Sequence, residues 1–188
     1  MIFAKFVDEL AEQIDGLAPR SKAAVYWLSG AGLLTGLDVP ERWAEWFVEA
    51  RSVGYGFVTT GEVDQRTAGL WEAARVPTGS DASQLLNSTL ICLSTPLGIA
   101  LDPETKVGTW AEHALFPTMQ SAALKLFDDV AFPDDDDDLD IVFAQDEVQA
   151  AAEYCRQVVA RLAALSGPDA SAIEILLRGA EVLDPGRS

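Results

Sequence analysis

The chain has 188 residues, of which 49% are apolar, so it can bury a sizeable core and is not a wholly disordered chain. Its 30 Asp and Glu residues against 13 Lys and Arg give a net charge of −17, which argues against nucleic-acid binding and against attraction to anionic membranes. The length favours one domain spanning residues 1–188.

The first third of the chain is predicted to be mainly helical. Apolar residues at helical spacing predict an amphipathic helix over 3–17. Residues 21–37 are nearly uncharged and contain three glycines, which is typical of a buried helix closely crossed by another. A third helix is predicted over 41–53. Residues 54–61 form the one β-like stretch, and we expect a loop or a single short hairpin there.

Further helices are predicted along the rest of the chain. One covers 63–76, and another begins at a Ser80 or Asp81 cap and continues to Pro96. A short helix over 110–115 is followed, past Pro117, by a second apolar stretch.

The strongest helical patterns are the last two. The first covers 147–165, and the final helix follows a capping box formed by Ser171 and Glu174. Seven or eight helices with little strand predict a compact all-α single-domain bundle.

The sequence favours a cytoplasmic protein. Asp8 and Glu9 precede any apolar run long enough for a secretory signal. Residues 82–101 lack charge but hold too many polar side chains for a good membrane span, so we expect a buried helix followed by a loop. Cys92 and Cys155 are 63 positions apart and form no CxxC motif, which predicts free, buried thiols.

The order of several short segments carries a family resemblance. These segments are Leu70-Trp71-Glu72-Ala73-Ala74, Pro77, Asp81, Leu90-Ile91-Cys92-Leu93, Thr109-Trp110-Ala111-Glu112-His113-Ala114 and Asp140-Ile141. In this order the chain resembles the YjaG-like family of helical bacterial proteins of unknown function, over about residues 20–165. The resemblance implies a helical fold and a bacterial cytoplasmic setting, and it implies no activity.

Most of the charge excess lies in one segment. Ten acids and no Lys or Arg occupy residues 128–147, and without them the net charge would be −7. Adjacent aspartates repel one another, so we expect a mobile, solvated acidic surface loop over 131–142. An EF-hand starting at Asp134 or Asp136 would place Leu139 or Ile141 where the calcium loop needs glycine, so no metal site is predicted.

Two functions remain open for this acidic segment. It is either a docking surface for a basic protein partner or a solvated linker. The candidate partner-binding residues are Asp134, Asp135, Asp136, Asp137, Asp138 and Asp140.

The sequence predicts no catalytic residues and no cofactor. His113 is the only histidine, which excludes His-rich metal sites and the HExxH motif. The glycines of 30–36 are not followed by the βαβ alternation of a dinucleotide fold. The ladder Glu41, Glu45 and Glu49 is typical of a solvated face, and the tryptophans are typical of core packing.

The main hypothesis is therefore a non-enzymatic, acidic helical interaction protein that binds a basic partner, as immunity proteins bind basic nucleases. The alternative is a helical enzyme or small-molecule binder with an aromatic pocket near Trp110 and His113. A structural subunit of a homo-oligomer is a third possibility, and the sequence does not determine the oligomeric state.

Overall fold

The structure is a computed structural model that describes residues 2–75, 83–107, 110–127, 136–165 and 167–184. Within these ranges the chain forms α-helices and two short 3-10 helices, and no strand. The α-helices are α1 (Ile2–Asp15), α2 (Pro19–Leu33), α3 (Glu41–Thr60), α4 (Thr67–Ala74), α5 (Gln84–Leu101), α6 (Trp110–Leu126), α7 (Asp136–Phe143), α8 (Asp146–Ala163) and α9 (Ala170–Leu177). The 3-10 helices are Leu34–Gly36 and Ala180–Leu183. The predicted all-α class is confirmed.

The centre of the bundle is α2, in which every residue from Ser21 to Leu33 is buried. It packs against α3, α5, α6, α8 and α9. A Cβ at Gly30 would lie 2.6 Å from Cγ of Leu93 in α5, and a Cβ at Gly32 would lie 2.5 Å from the carbonyl oxygen of Ala180. Because no side chain fits at these two glycines, neighbouring segments approach the backbone of α2 closely. The predicted buried helix is therefore confirmed.

The third helix is longer than its sequence pattern predicted. α3 continues to Thr60, so the prediction of a loop or hairpin over 54–61 is wrong. Phe57 and Val58 are buried and extend the apolar face of the helix, which packs against α2 and α5. Aromatic and β-branched residues favour strands in isolation, but this tertiary packing outweighs the local preference. Gly61 ends the helix with φ of 81°.

Two prolines lie inside helices that were predicted to end near them. α5 runs through Pro96 to Leu101, and α6 runs through Pro117. A proline removes one backbone donor and disfavours the helix interior. In α5 all of residues 96–100 are buried, so packing holds the last turn in place beyond the proline.

Among the described helices, α5 alone is long and apolar enough to cross a membrane by length and composition. In its apolar window the mean hydropathy is 1.3 and 67% of the residues are buried inside the protein, as in a core helix. The helix begins at Ser83, whose hydroxyl accepts a hydrogen bond from the Leu86 N–H at 3.1 Å. The predicted caps Ser80 and Asp81 lie outside the described residues.

The two C-terminal helices occur where the pattern predicted them. α8 has one buried stripe, as expected from its apolar spacing. The cap of α9 lies two residues before the predicted one, because the Asp169 carboxylate accepts a hydrogen bond from the Ala172 N–H at 2.8 Å. Asp169 therefore caps the helix in place of Ser171.

Arg20 joins three separate segments of the fold. Its Nε donates to the Val58 carbonyl at 3.0 Å, and its Nη2 donates to the carbonyls of Thr59 and Pro168, the latter at 2.6 Å. These bonds connect the start of α2, the end of α3 and the segment that precedes α9. Both α3 and α9 are thereby fixed relative to α2.

Candidate functional site

A largely apolar groove lies between α3 and α9, above α2, and we call it the α3–α9 groove. Its volume is about 710 Å³, within the range of about 300–1,000 Å³ that small-molecule sites occupy. Its floor includes Trp27 and Phe47, which are 3% and 1% exposed. The other apolar side chains that line it include Leu34, Val39, Val48 and Leu177.

The amphipathic pattern of α3 explains the wall that this helix contributes. Trp43, Trp46, Phe47 and Ala50 form its buried face. Val48 projects away from that face and is 71% exposed, although it is a large apolar residue. Single exposed valines are ordinary, but Val48 borders a concave apolar surface. The groove therefore leaves apolar surface in contact with water that a ligand would cover.

Trp27 contacts both the backbone and the side chain of Arg51. The indole Nε1 of Trp27 donates to the carbonyl oxygen of Arg51 at 2.8 Å. The guanidinium carbon of Arg51 lies 6.0 Å from the centroid of the Trp27 ring, at the limit of a cation–π contact. The ring of Tyr55 packs against Trp27 with centroids 5.2 Å apart. These contacts hold a cation and two aromatic rings at the floor and wall of the groove.

Two charged side chains line the groove among the residues that the structure describes. Arg51 belongs to α3 and Glu174 belongs to α9. Within the described part of the chain, Arg51 forms no ion pair with an acidic side chain. A smaller cavity of about 270 Å³ adjoins the groove and shares Leu34, Arg51 and Leu177 with it. Arg51 therefore stands where the two concave surfaces meet.

The groove does not include the pocket residues predicted from the sequence. His113 lies half-buried in α6, where desolvation by burial lowers its pKa. Neither His113 nor Trp110 appears among the residues that line the groove. The side chain of Trp110 lies outside the described part of the chain. A pocket near Trp110 and His113 stays a prediction.

Sequence reasoning assigned the tryptophans to the core and missed the groove. Trp27, Trp43 and Trp46 are all buried, so core packing is confirmed for them. Trp27 nevertheless lines the groove, together with Arg51 of α3 and Leu177 of α9. Val48 was the available signal, since it is an apolar residue on the side of α3 opposite its buried face.

The acidic segment is partly helical in the structure. Residues 136–142 fall within α7, so the prediction of a loop over 131–142 is wrong for this part. Residues 131–135, with Asp134 and Asp135, lie outside the described residues, as do the side chains of Asp136 and Asp137. Asp138 is half-buried.

Two acids of this segment make contacts within the protein. Asp140 accepts hydrogen bonds from the backbone N–H groups of Ile2 and Phe3 at the start of α1. Glu147 forms an ion pair with Lys125 at 3.2 Å. The pKa of Glu147 is lowered by its own backbone N–H and then by Lys125. These carboxylates therefore have internal roles, which the sequence did not predict.

The described residues contain no cluster of three or more His, Cys, Asp or Glu side chains that could hold a metal ion. Cys92 and Cys155 are both free and buried, as the sequence predicted. Burial raises the pKa of both thiols, that of Cys155 to about 12, so neither is a reactive thiolate in the folded chain.

The chain matches no protein-family model, no curated protein and no solved structure. The resemblance to the YjaG-like family stays a prediction.

Proposed function

We propose that this protein is a binding protein that holds a mainly apolar small molecule in the α3–α9 groove. The observation that carries the proposal is the concave apolar surface of about 710 Å³, with Trp27 and Phe47 at its floor and Val48 at its edge. Covering such a surface removes apolar area from water, which is the usual driving force for a ligand of this kind.

The residues around the groove support binding rather than a reaction. Among the described residues, its lining contains no histidine and no cysteine, and its charged groups are Arg51 and Glu174 on different helices. General acid–base or nucleophilic catalysis needs a reactive group within hydrogen-bond reach of a partner that activates it. The lining residues offer no such pair.

The test is a calorimetric titration of the protein with decan-1-ol, an uncharged apolar probe. Wild type is expected to bind the alcohol in a saturable manner. Val48→Asp places a charge at the edge of the groove and is expected to weaken binding at least about tenfold. Val63→Asp is the matched control, because Val63 is also exposed and lies outside the groove. Equal affinity of the two variants would overturn the groove as the site.

The charge distribution favours a second candidate function, the binding of a basic protein partner through the acidic segment. Ten acids with no Lys or Arg occupy residues 128–147, and concentrated charge of one sign accelerates encounter with a partner of the opposite sign. The candidate surface is Asp134 to Asp138. Asp140 is left out of this surface because its carboxylate binds the backbone of α1.

The second candidate is tested by replacing Asp134 to Asp138 with Asn and comparing capture from a bacterial lysate at low and high salt. A basic protein is expected to bind wild type and to be lost with the variant. A control that neutralises Glu9, Glu41, Glu45, Glu72 and Glu153 to Gln removes the same charge from exposed helix positions elsewhere. Equal loss in both variants would show that only net charge matters, which would contradict a docking surface.

A further inference from the structure

We propose that the ligand of the α3–α9 groove is a small amphipathic carboxylate, whose apolar body lies in the groove and whose carboxylate binds Arg51. This inference rests on the proposed function, because it names the ligand class for the same groove. It adds a charged recognition group to a site whose lining is mainly apolar.

Arg51 is hydrogen-bonded through its backbone, and its guanidinium lies over an aromatic ring. The bond from Trp27 Nε1 to the Arg51 carbonyl holds the backbone, and the Trp27 ring lies beneath the guanidinium, 6.0 Å from its carbon. Within the described part of the chain the guanidinium forms no ion pair that an anion would have to displace.

The next step is the location of Arg51 relative to the apolar surface. It lines both the groove and the adjoining cavity of about 270 Å³. An apolar body lying over Phe47 and Val48 would bring a terminal group to Arg51 at the junction of the two. A guanidinium presents two parallel N–H donors, which match the two oxygens of a carboxylate.

Acidic side chains also border these surfaces. Glu174 is exposed on α9 and lines the groove with Arg51, and Glu181 lines the adjoining cavity. An anionic ligand is attracted by Arg51 and repelled by Glu174, whereas a cationic ligand would experience the reverse. The two variants that remove these charges therefore report the sign of the ligand.

The experiment compares decanoate with decan-1-ol, which have equal chain length, by calorimetry on the full chain below the micellar concentration. Wild type is expected to bind decanoate at least about tenfold more tightly than the alcohol, as a charge-assisted pair with arginine provides. Arg51→Gln is expected to abolish this preference, so that the variant binds decanoate no more tightly than it binds the alcohol. Glu174→Gln is expected to strengthen decanoate binding.

Arg161→Gln is the matched control, because Arg161 is exposed on α8 outside the groove and its removal changes net charge equally. It is expected to retain the preference for decanoate. The inference is overturned if decanoate binds no more tightly than the alcohol, or if the preference survives Arg51→Gln. It is also overturned if Arg161→Gln removes the preference as fully as Arg51→Gln does.

The alcohol separates the failure of this inference from the failure of the proposed function. Saturable binding of decan-1-ol without a preference for decanoate overturns the carboxylate and leaves the apolar groove as a binding site. Absence of binding by both probes overturns the proposed function and this inference together. Far-UV circular dichroism of each variant confirms that the helices are intact.

Discussion

The carboxylate of Asp140 in α7 binds the backbone of Ile2 in α1, with the Ile2 N–H 2.7 Å from Oδ1 and 2.8 Å from Oδ2. The Phe3 N–H lies 2.9 Å from the same Oδ1. The first N–H groups of a helix have no partner within the helix, and an anion there interacts favourably with the helix dipole. Asp140 therefore joins the first helix to a segment more than a hundred residues away.

Asp140→Asn is expected to destabilise the protein in a pH-dependent manner. Hydrogen bonds from the chain's amino group and from the Phe3 and Ile2 N–H groups lower the pKa of Asp140 from 3.8 to about 2. Because the folded-state pKa is depressed, the stabilisation is present above pH 3.8 and is lost as pH falls through about 2.

Urea unfolding across this pH range measures the effect. The stability difference between wild type and Asp140→Asn is expected to be largest near neutral pH and to vanish near pH 2. Asp138→Asn is the control, since Asp138 lies in the same helix and is half-buried. A difference that stays constant with pH would contradict the role of the Asp140 charge.

Arg20→Met is expected to reduce the free energy of unfolding by about 2–4 kcal/mol. The substitution removes the guanidinium and so leaves three backbone carbonyls without their hydrogen-bond donor. The affected carbonyls are those of Val58, Thr59 and Pro168. Chemical denaturation measures the loss. Arg161→Met at an exposed site is expected to stay within about 0.5 kcal/mol, and similar losses in both variants would contradict the structural role of Arg20.

Gly32→Ala is expected to destabilise the protein by about 1–3 kcal/mol, because overpacking forces neighbouring groups apart. The new Cβ would lie 2.5 Å from the carbonyl oxygen of Ala180, which is backbone and cannot rotate away. Gly69→Ala in α4 meets open space and is expected to stabilise by about 0.5–1 kcal/mol. Thermal unfolding measures both changes, and a neutral Gly32→Ala would show that the approach of the 3-10 helix to α2 is looser than described.

Trp46→Phe is expected to cost about 1–2 kcal/mol more than Trp43→Phe, although both indoles are nearly equally buried. Trp46 Nε1 donates to the Leu70 carbonyl at 3.0 Å, which joins α3 to α4. Trp43 Nε1 is buried and has no hydrogen-bond partner in the described part of the chain. Equal losses on chemical denaturation would show that ring volume, rather than the hydrogen bond, determines the cost.

The all-α class of this protein can be predicted from the spacing of its apolar residues. The ends of several helices cannot be predicted in this way. The apolar spacing of α1 and of α8 predicts a helix with one buried stripe, and each helix has that stripe. Residues 54–61 predicted a loop or a short hairpin and Pro96 predicted a helix end, yet burial against neighbouring helices extends both α3 and α5. Local preferences of this size are overcome by packing that a sequence pattern does not contain.

The groove could not be predicted because its parts meet only in the folded chain. Arg51 and Leu177 lie on different helices and line the same groove as Trp27. Similarly, Asp140 belongs to a run of acids that predicts a solvated loop, and its partner Ile2 lies 138 residues away in the sequence. The sequence shows where the excess of acidic residues lies, but it does not show which carboxylates form hydrogen bonds or ion pairs within the fold.

Methyl-resolved NMR of the full chain, titrated with decan-1-ol, tests directly whether the α3–α9 groove binds an apolar ligand. Ligand binding in the α3–α9 groove predicts saturable shift changes at the methyl groups of Val48, Leu34 and Leu177, which line it. The methyl groups of Val63 and Leu124, which are exposed elsewhere, are expected to stay unchanged. Shifts that are largest at Val63 or Leu124, or no saturable shifts in the groove, would contradict the proposed binding function.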